Sequence, residues 1–299
     1  MMRIRAALAI AALLLLLCGA ALGDEATFRN FTCDTSVTEI DLDRVTVGYQ
    51  QWNSFYEFLG KLPNLRRVTM WKTNTYLTHI EYLTANWPDV QFDCTLYFGD
   101  GHKVRTDATA FSTLHGTSSS VHTARDISIV RYCKNLKALD FGHNAVDDIS
   151  FLYDLPDLRV LICGINRITD ITPIASLEKL EYLEMFTNYV TDISPLKGLT
   201  HLMDLNISYN YIEDLKPVTE MPWLKRLWVY RSTNRNSPDF LPENIQDWLK
   251  RKLPDTEINF INNPTAGGWR DNHPHYLIIR QMFRNGDFYI PFEDSFPDE

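Results

Sequence analysis

The sequence lacks the short motifs that mark common nucleotide-binding and hydrolytic enzymes. Its 299 residues contain no glycine-rich phosphate loop, no His-Glu-x-x-His, no Cys-x-x-Cys and no Gly-x-Ser-x-Gly. These absences argue against P-loop enzymes, zinc proteases of that type, thioredoxin-like redox proteins and serine hydrolases. We therefore expect a non-catalytic protein that needs no cofactor. A hydrolase whose site lies in an insertion or a cap is the remote alternative.

Positive charge is also scarce. The sequence has 29 lysines and arginines against 38 aspartates and glutamates, which gives a formal net charge of −9. A surface of this sign repels phosphate backbones, so nucleic acid is not expected among the partners.

Beyond its first residues, the sequence has no apolar run of membrane-spanning length. Ala6–Leu17 is uncharged but short for a bilayer, follows two arginines and precedes Ala21-Leu22-Gly23. These features predict a cleaved signal peptide at residues 1–23, a secreted or extracellular protein and no transmembrane helix. A lipoprotein anchored through Cys18 is less favoured, because the bulky Leu17 stands where that signal requires a small residue.

A 22-residue period organises the middle of the chain. Two columns of leucines repeat at this spacing: Leu136, Leu158, Leu180, Leu202 and Leu224, and then Leu139, Leu161, Leu183, Leu205 and Leu227. A column of asparagines follows: Asn144, Asn166, Asn188 and Asn210. Together they give the pattern L-x-x-L-x-L-x-x-N-x-L of a leucine-rich repeat.

Each column has a physical reason. One repeat is one coil, whose short strand buries its leucines only by stacking on its neighbours in a parallel sheet. The asparagine stands where the chain turns inward, and its amide can satisfy a backbone N–H and a C=O that would otherwise be buried unpaired.

The other half of each coil begins with an aspartate and contains a proline in three of four repeats. Proline forbids a sheet on that side, so the convex wall is expected to be turn or 3₁₀ helix. The aspartates could form a calcium ladder, but an aspartate just before a turn normally caps backbone N–H groups, and we favour capping. They are Asp148, Asp170, Asp192 and Asp214.

The segments Asn166-Arg-Ile-Thr-Asp-Ile-Thr-Pro-Ile-Ala-Ser-Leu177 and Asn188-Tyr-Val-Thr-Asp-Ile-Ser-Pro-Leu-Lys-Gly-Leu199 resemble the 22-residue repeats of internalin-type bacterial proteins. The strong resemblance covers residues 136 to about 231. It implies a right-handed curved solenoid, a bacterial source and recognition of a protein through the concave sheet.

The expected fold class is therefore α/β, a right-handed leucine-rich-repeat solenoid with a parallel concave β-sheet. After the signal peptide we expect an N-terminal cap and irregular repeats at 24–89, with helices at Gln51–Leu62 and Tyr76–Trp87. A β-hairpin insertion and loop should occupy 90–123, and regular repeats 124–240.

Residues 241–299 should hold the last repeat, a C-terminal cap and an acidic aromatic tail. A helix is predicted at Pro242–Leu253 and a last strand at Thr256–Ile261. An open solenoid exposes a slice of core and a strand edge, so Trp269–Phe283 is expected to cover that end.

Residues that alternate with the core leucines should face solvent on the concave side, where folding does not dictate them. Those of the later repeats form a predicted patch of aromatics edged by charge: Tyr182, Glu184, Phe186, Asp204, Tyr209, Arg226, Trp228, Tyr230 and Arg231. Large aromatics with arginines favour a protein or peptide partner. Two alternatives are a glycan partner, since tyrosine and tryptophan also hold sugar rings, and burial of the patch by the tail or by Val90–Phe111 of the same chain.

The metal and cysteine signals are weak. His273-Pro274-His275 near Asp271 could hold a metal, but two imidazoles at alternating spacing favour a surface loop, so no metal is expected. Cys133 and Cys163 occupy core positions of the repeat and should behave as buried hydrophobic residues. A bridge between them stays open, and the placement of Cys33 and Cys94 is not predicted.

Overall fold

The computed structural model describes residues 24–115, 120–234, 241–261 and 268–288. The predicted signal peptide and the tail after Phe288 lie outside these ranges. The chain divides into two compact units. One contains the residues up to Thr73 together with His79–Cys94, and the other contains Asn74–Thr78 and the residues from Thr95 onward.

The first unit combines short strands with two helices, because aromatic residues recur there at helical spacing. An antiparallel pair, β1 (Glu25–Phe28) and β2 (Phe31–Asp34), is followed by β3 (Glu39–Asp41), which pairs in parallel with β4 (Arg67–Thr75). The helices are α1 (Trp52–Leu59) and α2 (Leu77–Asn86). Trp52, Phe55 and Phe58 of α1 are buried on one face, so the predicted helical coils are confirmed.

The second unit contains a seven-stranded parallel sheet with one strand per coil. Its strands are β7 (Ala110–Ser112), β8 (Ala138–Asp140), β9 (Val160–Ile162), β10 (Tyr182–Glu184), β11 (Asp204–Asn206), β12 (Arg226–Trp228) and β13 (Glu257–Asn259). From β8 to β12, each residue pairs with the residue 22 positions later, as in Leu161 with Leu183. The column from Leu139 to Leu227 is fully buried, so the predicted leucine-rich-repeat fold is confirmed.

The convex side is built from turns, as predicted. Short 3₁₀ helices occupy Ser128–Tyr132, Ser150–Asp154, Thr172–Ser176 and Ser194–Gly198, and they are joined by the short helices α3 (Ala124–Ile127) and α4 (Lys216–Thr219). The aspartate of each repeat accepts a hydrogen bond from the backbone N–H two residues later, at 2.7 to 2.8 Å. This is the predicted capping role.

The region predicted as an insertion needs one correction. A hairpin is present, since residues Thr95–Tyr97 of β5 (Gln91–Tyr97) pair with β6 (Lys103–Arg105). The following strand β7, however, belongs to the main sheet beside β8. Ala110 pairs with Ala138, 28 residues later, so this longer coil escapes a search for a 22-residue period.

The C-terminal segment needs a second correction. Helix α5 (Glu243–Lys252) and strand β13 lie where they were predicted. Helices α6 (Trp269–Asn272) and α7 (Tyr276–Asn285) do not close the end beyond β13. They pack against the concave face and reach Ala110 of β7, at the opposite edge of the sheet. These two helices of the same chain therefore bury the apolar residues of the concave face.

Two smaller observations complete the fold. Cys33, Cys94, Cys133 and Cys163 are free thiols, and the last three are buried, which confirms the core role predicted for Cys133 and Cys163. Among the described residues, no helix is both long and apolar enough to cross a bilayer.

Candidate binding surface

The predicted concave patch divides into a buried part and a partly exposed part. The buried part consists of Tyr182, Glu184, Phe186, Asp204 and Trp228. The partly exposed part consists of Tyr209, Arg226, Tyr230 and Arg231. The expectation that the whole patch faces solvent is wrong, because α6 and α7 lie on it. Coverage by the same chain was the alternative left open, although the cover is mainly these two helices.

Trp269 of α6 is the centre of this cover. Its side chain is fully buried, and its ring centroid lies 5.2 Å from that of Trp228 and 5.7 Å from that of Tyr182. Its Nε1 donates a 2.7 Å hydrogen bond to the Tyr182 hydroxyl. Large aromatic rings that meet in this way bury much apolar area and fix orientation.

Helix α7 supplies the rest of the cover. Its apolar face, formed by Ile279, Met282 and Phe283, packs on small and branched side chains of the sheet. The sheet side of this cluster consists of Ala110, Ala138, Val160 and Ile162 together with the two aromatics described above. Phe288, the last described residue, packs against the same cluster.

Two carboxyl groups are buried beneath the cover. Burial raises the pKa of Glu184 to about 7, although the hydrogen bond from the Tyr182 hydroxyl and the charge of Arg270 work in the opposite direction. Burial also raises the pKa of Asp140 to about 6, against hydrogen bonds from the Gly142 N–H and the Ser112 hydroxyl. A dry environment disfavours the charged form of a carboxyl group, which explains both directions.

A third carboxyl group, Asp204, meets the C-terminal segment through ionic contacts. Its Oδ2 lies 3.1 Å from Nε2 of His273 and 3.9 Å from Nδ1 of His275, and its Oδ1 lies 3.3 Å from Arg226. Burial acts to raise the pKa of Asp204, but the contacts with His273, His275 and Arg226 outweigh it and hold this pKa below its ordinary value. Both histidines are buried, so the surface loop predicted for His273-Pro274-His275 is wrong.

The asparagine ladder links successive coils. Asn188 accepts a hydrogen bond from the N–H of Ile168 in the preceding coil and donates to the carbonyls of Cys163 and Met185, one in each coil. Asn166 and Asn210 repeat this pattern, and Asn144 accepts from the N–H of His122. The ladder therefore ties each of these coils to the one before it.

A tyrosine pair with an arginine remains partly exposed at the ends of two strands. The rings of Tyr209 and Tyr230 meet edge to face with centroids 5.1 Å apart. The Arg231 guanidinium lies 5.9 Å from the first ring centroid and 5.2 Å from the second. We call these three residues the tyrosine–arginine cluster.

Comparison with known proteins agrees with the repeat geometry. A family model described as leucine-rich repeats (2 copies) matches residues 134–176 and 156–198, so this part of the chain consists of leucine-rich repeats. Proteins built from such repeats generally present concave surfaces to protein partners. No curated protein matches the chain.

Among solved structures, the chain is similar to internalin C2 of Listeria monocytogenes, at 24% identity over 64% of this chain and 75% of that one, with a TM-score of 0.36. Internalin F of the same organism gives 19% identity over 69% and 76%, with a TM-score of 0.37. A leucine-rich-repeat protein of Leptospira interrogans gives 21% identity over 68% and 51%, with a TM-score of 0.43.

Proposed function

We propose that this is a secreted, non-catalytic protein that recognises a protein or peptide partner on its leucine-rich-repeat solenoid. The contact region is the tyrosine–arginine cluster. The observation that carries this proposal is that Tyr209, Tyr230 and Arg231 retain exposed surface while the other aromatic residues of the patch are buried by the chain itself.

The chemistry of the cluster supports a protein partner. Tyrosine and arginine are enriched among the residues that dominate binding energies at protein interfaces. The two rings hold each other edge to face and the guanidinium lies over both, so little side-chain freedom is left to lose when a partner binds.

A glycan is the second candidate partner. Sugars stack on flat aromatic faces, and Tyr209 and Tyr230 meet at an interplanar angle of 85°. This angle gives one face and one edge instead of a shared flat platform, so it favours a peptide over a sugar ring. A hydrolase remains the remote alternative.

A peptide library displayed on phage, together with a glycan array, tests the proposal on the secreted chain. Peptides selected on the wild type should lose at least about tenfold in affinity on Tyr230→Ala, because a residue of this kind contributes more than about 1.4 kcal/mol to binding. The matched control is Tyr189→Ala, which removes a tyrosine from the stacked pair Tyr189–Tyr211. The control should bind normally. Equal losses in both variants, or binding of glycans alone, would contradict the proposal.

Secretion has its own test. When the full chain is expressed in a bacterial host with a signal peptidase, the exported protein should begin at or near Asp24. Sequencing of its N-terminus checks this. Retention of Met1 on protein that stays inside the cell would contradict the predicted signal peptide.

A further inference from the structure

Two histidines and an aspartate meet at the turn of the hairpin. Asp100 and His102 stand on the turn between β5 and β6, where Gly99 and Gly101 have φ of +94° and +108°. Only glycine adopts such angles without strain, so the sequence Gly-Asp-Gly-His builds a tight turn. This turn directs the two polar side chains toward each other, with Asp100 Oδ2 2.9 Å from Nδ1 of His102.

The third member, His122, comes from the segment that enters the first regular coil. Its backbone N–H donates a 2.7 Å hydrogen bond to Oδ1 of Asn144, the first asparagine of the ladder. Its Nε2 lies 3.3 Å from Oδ2 of Asp100. The cluster therefore joins the hairpin turn to the coil that carries β8.

The arrangement leaves a buried nitrogen atom in the cluster without a hydrogen-bond partner. His102 and His122 are each 4% exposed, and Nε2 of His122, the atom that faces Asp100, makes no hydrogen bond. A buried polar atom without a partner is unfavourable and calls for an explanation such as an ion. One ligand atom from each of the three residues lies within 4.8 Å of the other two.

We propose that Asp100, His102 and His122 bind one zinc ion, which ties the hairpin turn to the first regular coil. Zinc bonds of about 2.0 to 2.2 Å to nitrogen and oxygen place neighbouring ligands of a tetrahedron roughly 3.3 to 3.6 Å apart. The two contacts of Asp100 are close to that spacing. Two imidazoles and one carboxylate are a zinc donor set, and a water molecule completes the four ligands.

The surroundings fit a cation. Oδ1 of Asp100 accepts a 3.0 Å hydrogen bond from the backbone N–H of His102, which holds the carboxylate with its Oδ2 toward the two imidazoles. The Phe98 ring lies 5.5 Å from His122 and stacks on Phe111, which gives the site an apolar wall. The Asp100 side chain keeps 16% exposure, through which an ion can enter.

The cluster of Asp204, His273 and His275 is a weaker zinc candidate, although it also brings two histidines and a carboxylate together. Arg226 lies 3.3 Å from the carboxylate, and a guanidinium repels a second cation. Nδ1 of His273 accepts the N–H of His275, so the proton of this ring is on Nε2, which faces Asp204. Nε2 of His273 makes no hydrogen bond, but it lies in ionic contact with the Asp204 carboxylate, which Arg226 also contacts.

The experiment is a titration of the folded, metal-free secreted chain with zinc chloride, followed by calorimetry, and with cobalt chloride, followed by visible absorption. Wild type should bind one ion and show the intense cobalt spectrum of a four-coordinate site. His122→Asn should weaken zinc binding by more than about 100-fold, since even the loss of an outer contact weakens a metal site 10- to 100-fold. His201→Asn, at a partly exposed histidine outside the cluster, is the matched control and should bind as wild type does.

Thermal melting separates a lost site from a lost fold. Zinc at a hundredfold excess over its Kd should raise the Tm of wild type and of His201→Asn by about 5 °C or more, and leave the Tm of folded His122→Asn unchanged. His102→Asn is the second variant at the site and should behave as His122→Asn does. Absence of zinc binding by wild type, or binding that survives His122→Asn and His102→Asn but is lost in His273→Asn, would overturn the proposal.

Discussion

At the scale of single residues, one position in each coil turns the chain from the strand into the convex side. The residue directly before the asparagine position has a left-handed backbone in five successive coils, with φ between 48° and 59°. These residues are His143, Ile165, Thr187, Tyr209 and Arg231. Such a conformation is unfavourable for a branched residue such as Ile165, so the turn depends on the asparagine that follows it to hold the backbone in place.

Asn188→Ala tests this dependence. The substitution leaves the N–H of Ile168 buried without its partner. The carbonyls of Cys163 and Met185 each lose one of two amide donors and keep that of Asn166 or Asn210. An unpaired buried group costs roughly 1 to 3 kcal/mol and a lost hydrogen bond about 1 kcal/mol, so we expect the free energy of unfolding to fall by about 3 kcal/mol. Urea denaturation measures it. Asn244→Ala, on the exposed face of α5, should change it little, and an equally small effect of Asn188→Ala would contradict the ladder's role.

Gly164 is required for a close approach rather than for its backbone angle. A Cβ at this position would lie 2.6 Å from the Phe186 ring of the next coil, well inside contact distance. Gly164→Ala should therefore destabilise the protein by about 1 to 3 kcal/mol, as overpacking does. Gly198→Ala is the control, because a Cβ there meets no atom within 4 Å. Equal melting temperatures of the two variants would show that Phe186 moves aside without cost.

At the scale of elements, the C-terminal segment behaves as one docked unit on the concave sheet. Trp269 provides its hydrogen bond and its aromatic contacts, and α7 provides the apolar face. Loss of the tryptophan should release the segment while the repeats stay folded, because the leucine columns and the asparagine ladder do not involve it.

Trp269→Ala tests this separation. The truncation of a buried tryptophan costs about 3 to 5 kcal/mol, and here the loss falls on the docking of α6 and α7. Limited trypsin digestion should cleave after Arg270 and Arg280 much faster than in wild type. Leu277→Ala, at a side chain of α7 that is 74% exposed, is the control and should resist digestion. Slow cleavage of the Trp269→Ala chain would indicate that the helices dock without this anchor.

The elements also show where sequence reasoning succeeds and where it stops. Coils, strands and convex turns follow from spacings of a few residues, and the 22-residue period makes each column visible. The contact between Tyr182 and Trp269 joins residues 87 positions apart and leaves no local signal. Asp100, His102 and His122 likewise come together only after the hairpin and the first coil are built. A residue that points away from the core of its coil can therefore still be buried by a segment that is distant in the sequence.

At the scale of the whole molecule, acidic groups buried in the concave face couple stability to pH. Glu184 is fully buried with its pKa raised to about 7, and Asp140 with its pKa raised to about 6. The folded state therefore holds protons that the unfolded chain releases near pH 4.5 from Glu184 and near pH 3.8 from Asp140, the ordinary pKa values of these groups. The contribution of Glu184 to stability is therefore fully present below pH 4.5 and is lost as the pH rises through about 7.

Glu184→Gln removes this titration while it keeps an oxygen that can accept the hydrogen bond from Tyr182. At pH 8 the variant should be more stable than wild type by up to about 3 kcal/mol, because wild type must then hold a buried charge or take up a proton. At pH 5 the glutamate of the folded wild type is protonated, so the difference should become small.

Urea denaturation at both pH values measures the two differences, and comparison with wild type cancels the titration of the other acids. Glu178→Gln, at an exposed glutamate, should give no pH-dependent difference. A Glu184→Gln effect of equal size at pH 5 and pH 8 would mean that this carboxyl group keeps an ordinary pKa, and that the cover admits water to the concave face.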